Sequence, residues 1–276
     1  MTETRAPTAN IEITVAGAAG RMGTRIVACL RDVPELRLAA ALEAPGHGAL
    51  GRDAGELAGV GRVGVAIGAD AAAAITRDRV LVEFSMPEAS LEHLRLVARQ
   101  GARAVIGTTG FTPAHRAEIG ELARRAAILV SPNMSVAVNL AFKLLGTMAK
   151  ALGDEYDVEI TETHHRFKKD APSGTALHMA EIVAEALGRD LGQTAVYGRQ
   201  GLPGERTKHE IGILSVRSGD VVGEHTVSFG ALGERLELVH KAHSRDTFAR
   251  GALRAARWVA GRPPGLYSMQ DVLGLA

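Results

Sequence analysis

Short apolar runs at residues 11–15, 36–42, 80–84, 104–106 and 128–130 predict buried strands, and the longer mixed segments 24–30, 87–99 and 113–126 predict helices between them. Strand and helix alternating at this pace imply a Rossmann-like α/β domain, a doubly wound parallel sheet with helices on both faces. A long amphipathic helix over 136–151 then leads into a different pattern. Residues 156–163 alternate apolar with polar side chains, as a half-buried strand does, and 175–187 read as a helix. The β-rich runs 211–216, 224–229 and 235–240 follow, separated by Gly219-Asp220 and by the turn at 230–233. Short runs joined by turns imply an α+β domain with a mostly antiparallel or mixed sheet. A last helix over 247–259 returns to the first domain and is broken at 261–265. The expected division is therefore 1–135 with 246–276, and 136–245.

The first strand runs into Ala16-Gly17-Ala18-Ala19-Gly20-Arg21-Met22-Gly23 and then a helix. Strand, glycine turn and helix in that order suit a dinucleotide. Glycines let the backbone turn sharply, approach a pyrophosphate and pack helix on strand, while the helix N-terminus faces the negative charge. Against the commoner G-x-G-x-x-G, Ala18 stands at the first glycine. Glu43 ends the second strand 20 residues beyond Gly23, where a carboxylate can accept hydrogen bonds from an adenosine ribose. Ala44 follows it, so no arginine clamps a 2′-phosphate there, although His47 or Arg52 could fold back. The later strand ends carry Phe84-Ser85-Met86-Pro87, Gly107-Thr108-Thr109-Gly110 and Ser131-Pro132-Asn133-Met134. An open α/β sheet binds its ligand at such carboxyl ends, here a nicotinamide.

The densest chemistry lies between residues 162 and 176, Glu-Thr-His-His-Arg-Phe-Lys-Lys-Asp-Ala-Pro-Ser-Gly-Thr-Ala. The run sits where the alternating strand ends and a helix begins. A basic run alone is usually a solvated loop. Here the adjacent Pro172-Ser173-Gly174-Thr175 supplies a rigid turn and a helix N-cap, whose N–H groups and hydroxyl form an anion site beside the imidazoles.

Composition narrows the partners. With 32 Lys plus Arg against 31 Asp plus Glu and 4% aromatic residues, the chain lacks the charge and stacking platforms of a general nucleic-acid binder. A small-molecule ligand fits better. Cys29 is the single cysteine among 276 residues, so no intrachain disulfide forms and a reducing compartment is compatible. No uninterrupted apolar stretch matches a membrane span, and residues 2–10 are short and polar without a signal core, which reads as the lead-in to a cytoplasmic protein. There is no phosphate-loop signature, no H-E-x-x-H and no cysteine pair, so no metal is expected.

These segments together resemble the 4-hydroxy-tetrahydrodipicolinate reductases, also called dihydrodipicolinate reductases, across nearly the whole chain. The resemblance is carried by residues 17–23, 106–111, 162–176, 222–226 and 240–248. It implies reduction of a cyclic dicarboxylate imine in diaminopimelate and lysine biosynthesis, with hydride from NADH or NADPH and a proton from His164 as general acid, assisted by Lys168. For the substrate carboxylates it implies His165, Lys168, Ser173, Gly174, Thr175 and Arg245. For the cofactor it implies Gly17, Ala18, Ala19, Gly20, Arg21 and Met22 at the pyrophosphate and Glu43 at the ribose. Phe84, Gly107, Thr108, Thr109, Ser131, Pro132, Asn133 and Met134 would surround the nicotinamide end. Arg166 and Lys169 remain field-shaping or structural. Met86 and Ala44 stand where some relatives carry arginine, which leaves the choice between NADH and NADPH open. The resemblance also implies a homotetramer built through the second domain's sheet. Two other readings share parts of the pattern: another nicotinamide enzyme, such as an amino-acid dehydrogenase, without a dicarboxylate-sized cation set, and a non-catalytic cofactor sensor indifferent to loss of His164.

Overall fold

The computed structural model describes residues 10–275, so the polar lead-in lies outside the described residues except for Asn10. The chain divides into two compact units, one running up to Val136 and resuming at Asp246, the other Ala137–Arg245. In chain order the strands are β1 (Ile11–Ala16), β2 (Leu36–Leu42), β3 (Ile67–Gly68), β4 (Arg79–Glu83), β5 (Arg103–Ile106), β6 (Ala127–Val130), β7 (Asp157–His164), β8 (Ala195–Val196), β9 (Ile211–Arg217), β10 (Gly223–Ala231), β11 (Glu234–Ala242) and β12 (Gly265–Tyr267).

In the first unit all seven strands pair in parallel, in the order β12-β6-β5-β4-β1-β2-β3. Read from β3 to β6 this is the Rossmann order 3-2-1-4-5-6, with its switch point between β1 and β4. Helices Arg21–Leu30 and Asp246–Val259 bury Ile26, Ala252 and Leu253 against Ile13, Val15 and Val82 on one face. Helices Pro87–Gln100 and Pro113–Ala123 bury Leu94, Val97 and Ile119 against Leu81, Ala104 and Ile128 on the other. Strands covered on both faces need apolar side chains at nearly every position, which is why 80–82 and 104–106 are continuous apolar runs rather than alternating ones.

The second unit holds a five-stranded mixed sheet, β11-β10-β7-β9-β8. β10 runs antiparallel to both β11 and β7, while β7 and β8 each run parallel to β9. Of the expected alternatives, antiparallel or mixed, the sheet is mixed. The reason is the helix Gly174–Ala186 between β7 and β9, a crossover of the kind a parallel pair requires. One sheet face, with Val158, Ile160, Ile213, Val227 and Phe229, packs on that helix and on Val136–Leu152. The stretch Val136–Glu155 is long and apolar enough by composition to cross a membrane. Its Val138, Phe142, Leu145 and Ala149 nevertheless pack in this core.

Candidate active site

In the first unit the glycine turn connects β1 to the helix Arg21–Leu30. Gly17 has φ +68°, a backbone conformation that L side chains rarely adopt, and Gly20 is the helix N-cap. The Gly20 carbonyl accepts the Thr24 N–H at 3.1 Å, so the helix starts at Arg21, earlier than the expected 24, and the glycine cap leaves no side-chain cap bond at its positive end. A Cβ on Gly23 would lie 2.1 Å from the Gly17 carbonyl oxygen, so the helix seats on the turn only with glycine there. Ala18 is instead a core residue whose N–H donates to the Leu42 carbonyl at 3.0 Å. Glu43 lies beside the turn, its Oε1 accepting the Ala19 N–H at 2.8 Å. A Gly23→Ala variant is therefore expected to overpack this contact at a cost of about 1–3 kcal/mol. It should lower Tm in a thermal melt and weaken nicotinamide dinucleotide binding in a titration.

The ends of β4, β5 and β6 meet where the resemblance expects the nicotinamide. The Phe84 ring covers Gly107 so closely that a Cβ there would lie 2.2 Å from it. The Ser85 N–H donates to Thr108 Oγ1 at 3.2 Å, and Thr108 shares a 2.8 Å hydrogen bond with Ser90. Ser131 Oγ donates to the Asn133 carbonyl at 2.8 Å, and the Asn133 side chain accepts the Ser135 N–H at 2.8 Å. Met134 is buried in the core, and its carbonyl oxygen lies against Gly251, where a Cβ would come within 1.8 Å of it, so neither its side chain nor that carbonyl faces a ligand. A cavity of about 250 Å³ is lined by Thr108, Thr109, Phe111, Arg116, Val130 and Pro132, among others. Beneath these loops the fully buried Glu83 binds the Ser85 hydroxyl and, at 3.0 Å, His93 Nδ1. Sequence reading assigned no role to Glu83 or His93.

In the second unit β7 builds the site by strand periodicity alone. Val158, Ile160, Glu162 and His164 share one face, so the two residues nearest the strand's end present a carboxylate and an imidazole from the face that is otherwise core. Glu162 has no exposed side-chain area. Arg217, opposite His164 in the β7–β9 register, grips it with two bonds, Nη1 to Oε2 at 2.8 Å and Nη2 to Oε1 at 2.9 Å. The Ser173 N–H donates to Oε1 at 3.1 Å and His164 Nδ1 lies 2.6 Å from Oε2.

Burial by itself would raise the Glu162 pKa, but hydrogen bonds from Arg217, His164 and Ser215 outweigh it and bring the pKa down to about 2. The carboxylate is therefore ionised, and the proton in the short contact sits on His164 Nδ1, leaving Nε2 to exchange protons. His164 itself has its pKa lowered, first by burial, with Glu162 opposing and the charges of Lys168 and Arg217 adding to the shift.

Ser173 caps the helix Gly174–Ala186, its Oγ accepting the Ala176 N–H at 3.1 Å, so that helix begins one residue before the expected 175. The same Oγ lies 3.0 Å from Nε2 of His225 on β10, a residue opposite Glu162 in register. Lys168 is held by Asp170 at 2.9 Å. The Asp170 backbone carbonyl in turn accepts from Arg217 at 2.6 Å. His165 lies just past the strand with its Nδ1 buried and without a partner. Arg245 lies in the turn after β11, half-buried, and has no hydrogen bond or ion pair with this cluster among the described residues. The structure thus gathers His164, Ser173 and the helix start around Glu162. It adds Arg217 and His225, to which sequence reading gave no role; the available signal was the polar residue at an inward position of each strand.

The two units define a class: proteins with a Rossmann-type nucleotide domain and a second, mixed-sheet domain carrying a histidine–carboxylate site. Comparison with known proteins narrows it. Residues 11–134 match the family model described as dihydrodipicolinate reductase, N-terminus, and residues 137–273 the model described as dihydrodipicolinate reductase, C-terminus. The 4-hydroxy-tetrahydrodipicolinate reductase of Citrifermentans bemidjiense is 54% identical over 265 residues, 96% of this chain and 99% of that protein. Its counterpart in Geobacter sulfurreducens is 55% identical over 264 residues, again 96% and 99%. A solved dipicolinate-bound dihydrodipicolinate reductase from Paenisporosarcina sp. TG-14 aligns over 95% of this chain and 98% of that one, with a TM-score of 0.73 at 25% identity. The chain belongs to the dihydrodipicolinate reductase family of oxidoreductases.

Proposed function

We propose that this chain reduces 4-hydroxy-tetrahydrodipicolinate, by way of dihydrodipicolinate, to tetrahydrodipicolinate in diaminopimelate and lysine biosynthesis. The observation that carries the reading is the buried Glu162–His164 pair, 2.6 Å apart, beside a serine-capped helix start in a chain of this family. Loss of water from the 4-hydroxy compound gives the conjugated imine; one hydride and one proton then saturate one double bond of that system.

NADH or NADPH, when bound, supplies the hydride. The glycine turn fits such a group: Gly17 takes a positive φ, Gly20 leaves the helix end uncapped, and Glu43 stands beside the turn. Gly17, Ala19, Gly20, Arg21 and Met22 would face the pyrophosphate and Glu43 the ribose, while Ala18 packs in the core behind the turn. Phe84, Gly107, Thr108, Thr109, Ser131, Pro132 and Asn133 would line the nicotinamide end, with the buried Met134 behind them. The remaining work falls to the second unit. His165, Ser173, Gly174, Thr175, Lys168 and Arg245 bind the two carboxylates, and His164 delivers the proton from Nε2. In the free protein burial, Lys168 and Arg217 disfavour the imidazolium. A substrate carrying two negative charges reverses that balance, so His164 is charged for donation when a proton is needed.

The homotetramer that the resemblance implies would assemble through the outer face of the mixed sheet. Thr161, Thr226, Leu214 and Val239 lie in one row across it, and Leu214, Val216 and Val239 are exposed, an apolar strip that a second copy of the chain would cover. Buried Cys29, without a cysteine to pair with, is compatible with the cytoplasm.

Dipicolinate, a planar dicarboxylate, is expected to inhibit competitively against the imine substrate. An amino-acid dehydrogenase with the same layout would ignore it, so steady-state inhibition kinetics separate the two. Absence of inhibition at millimolar dipicolinate would contradict the reading.

A further inference from the structure

What Ser173 can offer a ligand depends on which atom of the Ser173–His225 pair carries the shared proton. Ser173 Oγ already accepts the Ala176 N–H at 3.1 Å and lies 3.0 Å from His225 Nε2. His225 is 4% exposed, and its Nδ1 is buried without a partner. A proton on Nδ1 would leave a buried N–H with no acceptor. A proton on Nε2 leaves only a bare lone pair at Nδ1. Orphaned buried N–H groups are the rarer and costlier arrangement.

We infer that His225 is a positioning residue that acts through Ser173: its Nε2–H donates to the Oγ of this buried serine and leaves the serine's own O–H as a fixed donor to a ligand carboxylate. With Ala176 and His225 filling both lone pairs, the hydroxyl has only its proton left to give. An ionised carboxylate, which only accepts, completes that set; a ligand group that must itself donate does not. The ring is hemmed in by His164, edge-on at 5.2 Å between centroids, and by His240 at 6.4 Å. Burial first, and then the neighbouring His164 and His240, bring its pKa down to about 3, so the ring stays neutral across the physiological range. Its tautomer therefore does not follow ambient pH.

This rests on reading Ser173 as a carboxylate-binding residue, and two measurements separate the claims. In the full-length protein labelled with ¹⁵N-histidine, with His225 assigned by the signals lost in His225→Phe, Nε2 should show a pyrrole-type shift and Nδ1 a pyridine-type shift. Neither should change between mildly acidic and mildly alkaline pH. A pyrrole-type Nδ1 would overturn the inference. In kinetics, His225→Leu should raise KM for the dicarboxylate about three- to tenfold, the range of one net hydrogen bond, with kcat within about twofold. Ser173→Ala should raise KM at least as much, and adding His225→Leu to it should cost nothing more. Additive losses accompanied by a fall in kcat would make His225 merely structural and overturn its role. An unchanged KM in Ser173→Ala would overturn the carboxylate reading and the ligand half of the inference, while the NMR result stands or falls separately.

Discussion

Replacing His164 with alanine lowers kcat at least about a hundredfold and leaves KM for the dicarboxylate little altered. Two features of the site set that split. The imidazole is held by the protein through Glu162, not by a ligand charge, so its removal takes away little ground-state binding. Its Nε2 is the position that exchanges protons, and a positioned general acid contributes roughly a hundred- to ten-thousandfold. Gly223 keeps space open beside that atom, since a Cβ there would lie 3.0 Å from Nε2. Steady-state kinetics on the purified variant, with its fold checked by circular dichroism, measure the effect. Unchanged turnover would remove His164 from the mechanism.

Glu162→Gln has the second large effect, and it is visible as a pH shift. The general acid works when protonated, so the rate falls as pH rises through the His164 pKa, which lies below the ordinary value of 6.5. Burial, Lys168 and Arg217 push that pKa down, and Glu162 pushes it up through its hydrogen bond and its charge. Taking away the carboxylate charge removes the upward push, so the fall in kcat/KM moves to lower pH. Near neutrality the variant should lose on the order of ten- to a hundredfold, part of the acid–base contribution. Toward acidic pH the loss should shrink as His164 becomes protonated in both proteins. A uniform loss at every pH would mean that Glu162 supports the fold and not the proton.

Much of this site could be read in the sequence because the physics that builds it is local. Pro172-Ser173-Gly174 announces the helix cap, and the period of two along β7, carried one residue past the expected strand end at 163, puts His164 on the inward face with Glu162, a carboxylate to which sequence reading gave no role. The glycine turn is local in the same way. What sequence did not reveal depends on register between distant strands. Arg217 reaches Glu162 across 55 residues and His225 reaches Ser173 across 52, and both follow from β7 pairing with β9 on one side and β10 on the other. Before that register is known, Arg217 is an ordinary charge at a strand end and His225 an alternation error in β10. Lys168 shows the converse. Its charge stood out in the sequence, while the Asp170 carboxylate that holds it is an unremarked neighbour two residues away. Strands β3, β8 and β12 escaped notice because two or three residues carry no measurable period.

The most direct test follows nicotinamide absorbance as purified protein meets freshly generated 4-hydroxy-tetrahydrodipicolinate, with NADH and NADPH in parallel. Substrate-dependent oxidation of at least one cofactor, suppressed by dipicolinate and lost in His164→Ala, is the predicted result. No oxidation of either cofactor by folded protein that binds dinucleotide would contradict it.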